Sequence, residues 1–187
     1  GASQGRGVTL IKTSGFSAYR DEHAAQYLSL GRSAPLVQQH IRTGDRAEHN
    51  RILVFLDRVL LSKRNFGAAP TTFNAPANDL VLLDHVASNA KDSGQELLVD
   101  DELDQFGLKI HAAFDSTCSG VDILRSSDDG QLYALEVNMG NTWQFSCNVS
   151  VGVRAAVGVE NMRAQHDVYE VASEAIIDRA RTILKIS

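Results

Sequence analysis

Three oxygen-bearing side chains, Asp122, Glu136 and Asn138, fall within the stretch GVDILRSSDDGQLYALEVN. Asp122 lies near the start of one apolar run, and Glu136 and Asn138 lie near the end of the next, with Asp129-Gly130 between the runs. An Asp-Gly pair between two runs rich in branched and aromatic residues signals a β-hairpin. Side chains alternate faces along a strand, so Glu136 and Asn138 share one. A hairpin return lets Asp122 lie opposite them. Two carboxylates and an amide oxygen on one face form a hard, all-oxygen donor set, which suits magnesium carrying nucleotide phosphates. Acidic residues on strands are equally the ordinary solvated side of a half-buried sheet, and these residues alone leave both readings open.

The elements around this hairpin alternate between strand and helix signals. Val8 to Ile11 reads as a strand directly after the glycine-rich opening GASQGRG. Tyr19 to Leu30 reads as a helix with acidic residues in its first turn, stopping at Gly31. APLVQQHI reads as a strand centred on Leu36 and Val37, and TGDRAEHN as a polar loop. Ile52 to Leu56 and Val59 to Leu61 read as a hairpin turning at Asp57-Arg58. Phe66 to Asn78 has loop composition. QELLVDDELDQFGL reads as a helix ending near Gly107, and KIHAAFDST as a short strand or connection. The last helix carries Val168, Val171, Ala175, Ile176, Ala180, Ile183 and Leu184 at helical spacing.

Composition narrows the function classes. With 43% apolar residues and 22% charged, the 187-residue chain has the material for a packed core, in one domain or in one large and one small subdomain. A net charge of -5 without a long basic run argues against nucleic-acid binding, whose affinity comes mainly from Lys and Arg. No apolar run reaches the roughly 20 residues that span a bilayer, so no membrane association is expected. Cys118 and Cys147 fit thiols in a reducing cytosol better than a disulfide framework, which points to a cytoplasmic location. No Cys/His spacing resembles a zinc site.

The stretch GVDILRS…LEVN resembles the magnesium-binding hairpin of the ATP-grasp superfamily, most closely the ribosomal-protein glutamate ligase branch. The resemblance runs from Ser3 to about Asn138, and the final helix fits it too. It implies an α+β, ATP-grasp-type fold with mixed or antiparallel sheets flanked by helices. Asp122, Glu136 and Asn138 would hold Mg2+ on ATP. SQGRGV resembles the loop that closes over the phosphates, with Ser3, Gly5 and Gly7 presenting backbone N–H groups and Arg6 adding charge. Gln38, Gln39, His40 and Ile41 resemble the segment that meets the adenine edge. Arg51 and Arg64 lie in the hairpin whose arginines face the phosphates in that superfamily, a task suited to the planar guanidinium fork.

The implied activity is ATP-dependent ligation of a small-molecule or peptide carboxylate to an amine, or less often a thiol, through an acyl phosphate. The implied division is an incomplete small subdomain over residues 1–40 and a C-terminal subdomain over 41–187. By this resemblance the N-terminal subdomain would be absent and the chain a truncated piece of the enzyme, expected to be inactive alone, with apolar surface either exposed or used for self-association as a homo-oligomer. A catalytically inactive nucleotide-binding or scaffolding module is the alternative. It is favoured by the lack of a lysine before the glycine-rich loop (Lys12 follows the loop) and by Gly120, which stands where an arginine often precedes the first metal acid. NMGNTWQFSC replaces the turn that usually follows Glu-x-Asn, with Trp143 either a core anchor or a stacking surface.

Overall fold

A computed structural model of the chain describes residues 9–10, 17, 20–21, 38–70, 81–82, 94–139 and 167–185. In chain order the elements are β1 (Thr9–Leu10), β2 (Arg46–Phe55), β3 (Arg58–Pro70), β4 (Val81–Leu82), β5 (Gly94–Leu97), α1 (Asp101–Ala113), β6 (Cys118–Arg125), β7 (Leu132–Met139) and α2 (Val168–Leu184). The class is α+β. β1 pairs with β4, and the five-stranded sheet runs β5-β3-β2-β6-β7 with every neighbour antiparallel. Among the described residues no helix is long and apolar enough to cross a membrane.

Each face of the sheet has its own apolar cluster. On one face Ile52, Val54, Val121 and Ile123 bury against Leu103 of α1. On the other, Leu53, Leu60 and Leu61 bury against Val168 and Ala172 of α2. Helix α1 begins at an Asp100 cap, whose Oδ1 accepts the Leu103 N–H at 3.1 Å, and continues into acidic Asp101, Glu102 and Asp104. Carboxylates there satisfy open backbone donors and complement the helix dipole. Arg125 of β6 ties that first turn to the sheet through Asp100 at 2.8 Å and Glu102 at 2.6 Å.

Several elements differ from the sequence reading. The polar stretch after Ile41 is a loop only as far as Asp45, and β2 begins at Arg46, not Ile52. Thr43 Oγ1 secures that start by donating to the Arg46 carbonyl and accepting the Glu48 N–H, both at 3.0 Å. β3 extends to Pro70, through part of the predicted loop, because pairing with β2 and β5 supplies the backbone partners that propensity ignores. Gln38 to Ile41 form irregular backbone instead of a strand.

Helix α1 does not end near Gly107 but runs on to Ala113, through the stretch read as a strand or connection. Gly107 allows close approach to the sheet: a Cβ there would stand 2.9 Å from Ile52 Cγ2. Helix α2 rests on its small edge, burying Val168, Ala172 and Ala175, and leaves Ile176, Ile183 and Leu184 exposed, contrary to the predicted stripe. The predicted helix at Tyr19–Leu30 lies outside the described residues except for Arg20 and Asp21, which are helical.

Candidate functional site

The register of two hairpins determines which polar side chains meet. β6 and β7 are joined by Ser126–Gln131, where Gly130 adopts φ 75° and donates its N–H to Ser126 O at 2.9 Å. Next to that loop Arg125 pairs with Leu132 and Ile123 with Ala134, but Asp122 pairs with Glu136, so Leu135 bulges out. Without the bulge Asp122 would oppose Leu135, and Glu136 would point through the other face, since a slip of one residue reverses every side chain. The bulge therefore assembles the predicted donors. Glu136 stands directly across from Asp122, and Asn138 stands across from Gly120, which has no side chain to crowd it.

A second bulge acts on the neighbouring hairpin. Phe55 pairs with Arg58 and Val54 with Val59, but Leu53 pairs with Leu61, and the shifted register continues through Arg51↔Lys63 and His49↔Asn65. One row of side chains then crosses the whole sheet: Leu97, Lys63, Arg51, Asp122 and Glu136. The row lies on the α2 face, beside the Leu53 and Leu61 cluster.

Arg51 grips Asp122 with a two-pronged fork, Nε to Oδ1 at 2.7 Å and Nη2 to Oδ2 at 2.5 Å. Asp122 is buried. Burial works against the Arg51 charge, but the Asp122 bonds and charge, helped by Glu136, hold its pKa above the ordinary arginine value. His49 Nε2 lies 4.0 Å from Asp122 Oδ1. Lys63 is also buried, and its pKa is lowered to about 8, first by that burial and then by the Arg51 charge, with Asp122 opposing.

Glu136 is exposed and Asn138 half-buried; among the described residues neither makes a hydrogen bond or ion pair. Cβ atoms of directly opposed strand residues stand about 4.5–5.5 Å apart, and like charges so placed repel. The Arg51 guanidinium, bonded to Asp122 and attracted by Glu136, already offsets part of that repulsion, and a cation between the two carboxylates would offset more. Among the described residues no group of three or more His, Cys, Asp or Glu converges, so a third protein oxygen would come from Asn138. The two carboxylates and the amide thus fit a hard divalent cation.

The other sequence candidates divide. Arg64 pairs across from Asn50 and Glu96, on the face opposite Arg51, and its guanidinium is engaged by Glu96. Gln38 to Ile41 lead into the β6–β7 loop region, where Arg42 O accepts the Ser127 N–H at 2.8 Å and Arg42 pairs with Asp128 at 3.3 Å. Ser3, Gly5, Arg6 and Gly7 lie outside the described residues, as do Cys147 and Trp143. Sequence reasoning passed over Lys63, Asn65 and His49. The signal for them was the alternation Leu61, Lys63, Asn65 along β3, which needs the bulge to be read correctly.

No protein-family model matches the chain, and no curated protein matches it. Among solved structures, similarity is found to the D-alanine–D-alanine ligase from Bacillus anthracis complexed with ATP, at 15% identity and a TM-score of 0.47 over 87% of this chain and 50% of that one. The ATP-grasp ligase PsnB, complexed with a phosphomimetic variant of its minimal precursor, Mg and ADP, is similar at 18% identity and a TM-score of 0.40 over 84% of this chain and 52% of that one. The macrocyclase MdnC from Microcystis aeruginosa MRC, bound with precursor peptide MdnA, is similar at 12% identity and a TM-score of 0.35 over 75% and 50%. The chain spans about half the length of these proteins.

Proposed function

We propose that the chain is the nucleotide-handling part of an ATP-grasp-type carboxylate ligase. The observation that carries this reading is the bulge-set register that brings Asp122, Glu136 and Asn138 to one face beside Arg51 and Lys63. Asp122, Glu136 and Asn138 would hold Mg2+, which when bound neutralises charge on the β- and γ-phosphates of ATP. Arg51 is positioned by Asp122 through Nε and Nη2, which leaves Nη1 unengaged among the described residues to meet a phosphate oxygen. In the assignment Ser3, Gly5, Arg6 and Gly7 cover the phosphates and Gln38 to Ile41 border the base. Arg64, held by Glu96 on the other face, has no part in it.

The reaction class is transfer of the ATP γ-phosphoryl group to a carboxylate, then attack on the acyl phosphate by an amine with loss of phosphate. Such a site works by positioning and electrostatics, with no covalent enzyme intermediate. Replacing Glu136 by Ala abolishes ATP turnover in the full-length protein while circular dichroism stays unchanged; turnover at the parental rate would remove the metal assignment.

One observation favours a second reading, a nucleotide-binding module without turnover. The Arg51 fork already occupies both oxygens of Asp122, so the pair is self-sufficient without a metal. ADP binding without ADP release from ATP would select that reading.

A further inference from the structure

Lys63 and Asn65 project from the same face of β3, being two residues apart on one strand. Lys63 is 8% exposed and Asn65 is fully buried. Lys63 faces Arg51 and Leu97 across the sheet, and Asn65 faces His49 and Gln95. Among the described residues the Lys63 ammonium has no ion pair or hydrogen bond. Asp122 is engaged by Arg51 through both of its oxygens, so the buried Lys63 ammonium is left without a charged partner among the described residues. A buried ammonium without a partner calls for an anion.

Asn65 adds a second, independent sign. Its Nδ2 lies 2.9 Å from His49 Nε2. Its Oδ1 is buried with no hydrogen-bond partner among the described residues. Buried amide oxygens without a partner are rare, and each one asks for a donor. The spot thus offers a cation and an acceptor on one face, from residues whose Cα atoms are about 7 Å apart along the strand. Phosphate fits poorly, because its oxygens would face the Asn65 oxygen and a second negative charge would approach Asp122. A carboxylate with an N–H on the adjoining carbon satisfies both groups.

The geometry points to Lys63 and Asn65 as a substrate-carboxylate site, Lys63 Nζ taking the carboxylate and Asn65 Oδ1 taking the neighbouring N–H. The ligand class is an α-amino or α-amido carboxylate, as in a free amino acid or the C-terminal residue of a peptide. This deepens the ligase reading and rests on it.

The test is ligand-observed NMR with the full chain, with and without Mg·ADP, using glycine, N-acetylglycine, glycinamide, acetate and inorganic phosphate as probes. Glycine or N-acetylglycine binds at least about tenfold more tightly than glycinamide, acetate or phosphate. Preference for glycine assigns a free amino acid, and preference for N-acetylglycine a peptide C-terminus. Lys63→Met loses about tenfold or more of that affinity, and Lys63→Arg retains most of it. The site is overturned if phosphate binds as tightly as either carboxylate, if Lys63→Met leaves binding unchanged, or if no carboxylate binds. Mg·ADP binding without carboxylate binding defeats this inference and spares the nucleotide site. Carboxylate binding at Lys63 without Mg·ADP binding defeats the nucleotide site instead.

Discussion

On the α1 face of the sheet, Ile52, Val54, Val121 and Ile123 close over Leu103, and the polar groups among them are matched in pairs. Ser62 Oγ meets Asp104 Oδ1 at 2.5 Å, and His111 Nδ1 meets Ser119 Oγ at 2.7 Å. On the α2 face the apolar cluster of the described residues lies at one end of the strands. The row beside it buries Lys63 and Asp122 together with most of Arg51, and leaves the Asn65 oxygen unmatched among the described residues. Both faces come from the same five strands, so strand propensity does not explain the difference. The α1 face is built to be stable by itself. The α2 face is built with charges and an acceptor that a bound molecule would complete, a pattern expected where function competes with stability.

Removing one partner of the buried fork should have the largest effect. Asp122→Ala leaves Arg51 mostly buried without its carboxylate and costs about 3–5 kcal/mol in urea unfolding. Replacing both residues with apolar ones, Arg51→Met with Asp122→Leu, recovers most of that loss but not nucleotide binding. If the double variant binds Mg·ADP normally, the row is structural and the contrast between the faces disappears.

Ile52→Ala probes the other side. Ile52 is fully buried, and truncation there costs about 2–5 kcal/mol, while Mg·ADP affinity is retained at temperatures where the variant is folded. A variant that stays stable but binds weakly would mean that the two faces are not separable.

Lys63→Met should act in the opposite direction. The folded-state pKa of Lys63 is lowered from 10.5 to about 8, so the unfolded chain binds more protons between those values. Stability therefore rises with pH across that window as the buried charge is lost. Below it, the charged lysine destabilises the fold by roughly 1–3 kcal/mol. Lys63→Met is more stable than the parent by about that amount at neutral pH, and the gain shrinks as pH rises through the same window. Equal stability of the two proteins at all pH values would show that a partner already neutralises Lys63.

The sequence revealed the residue types of the site and the existence of both hairpins, but not their registers. The structure turns at Leu56-Asp57, one residue before the Asp57-Arg58 expected from sequence, and from there a ladder without bulges would pair Arg51 with Ser62 and bring Arg64 to the same face. The single extra residue at Leu60 instead brings Lys63 to that face and turns Arg64 to the other. A bulge adds one residue without a compositional mark of its own, so counting from a turn cannot find it. The Leu135 bulge works the other way, since it makes the predicted meeting of Asp122 and Glu136 occur where plain counting from the loop would part them. Gly107 was misread for a related reason: as a helix stop and as a place of close packing a glycine looks the same in sequence, and only Ile52 across the interface decides.

Calorimetric titration of ADP into the full chain, with and without Mg2+, for the parent and for Glu136→Ala, tests the central claim most directly. Glu136 is exposed and makes no hydrogen bond or ion pair among the described residues, so its loss should leave the fold intact. Mg2+ is expected to strengthen ADP binding to the parent by about tenfold or more, and Glu136→Ala to remove this gain with metal-free ADP binding unchanged. An equal gain from Mg2+ in both proteins would contradict that claim.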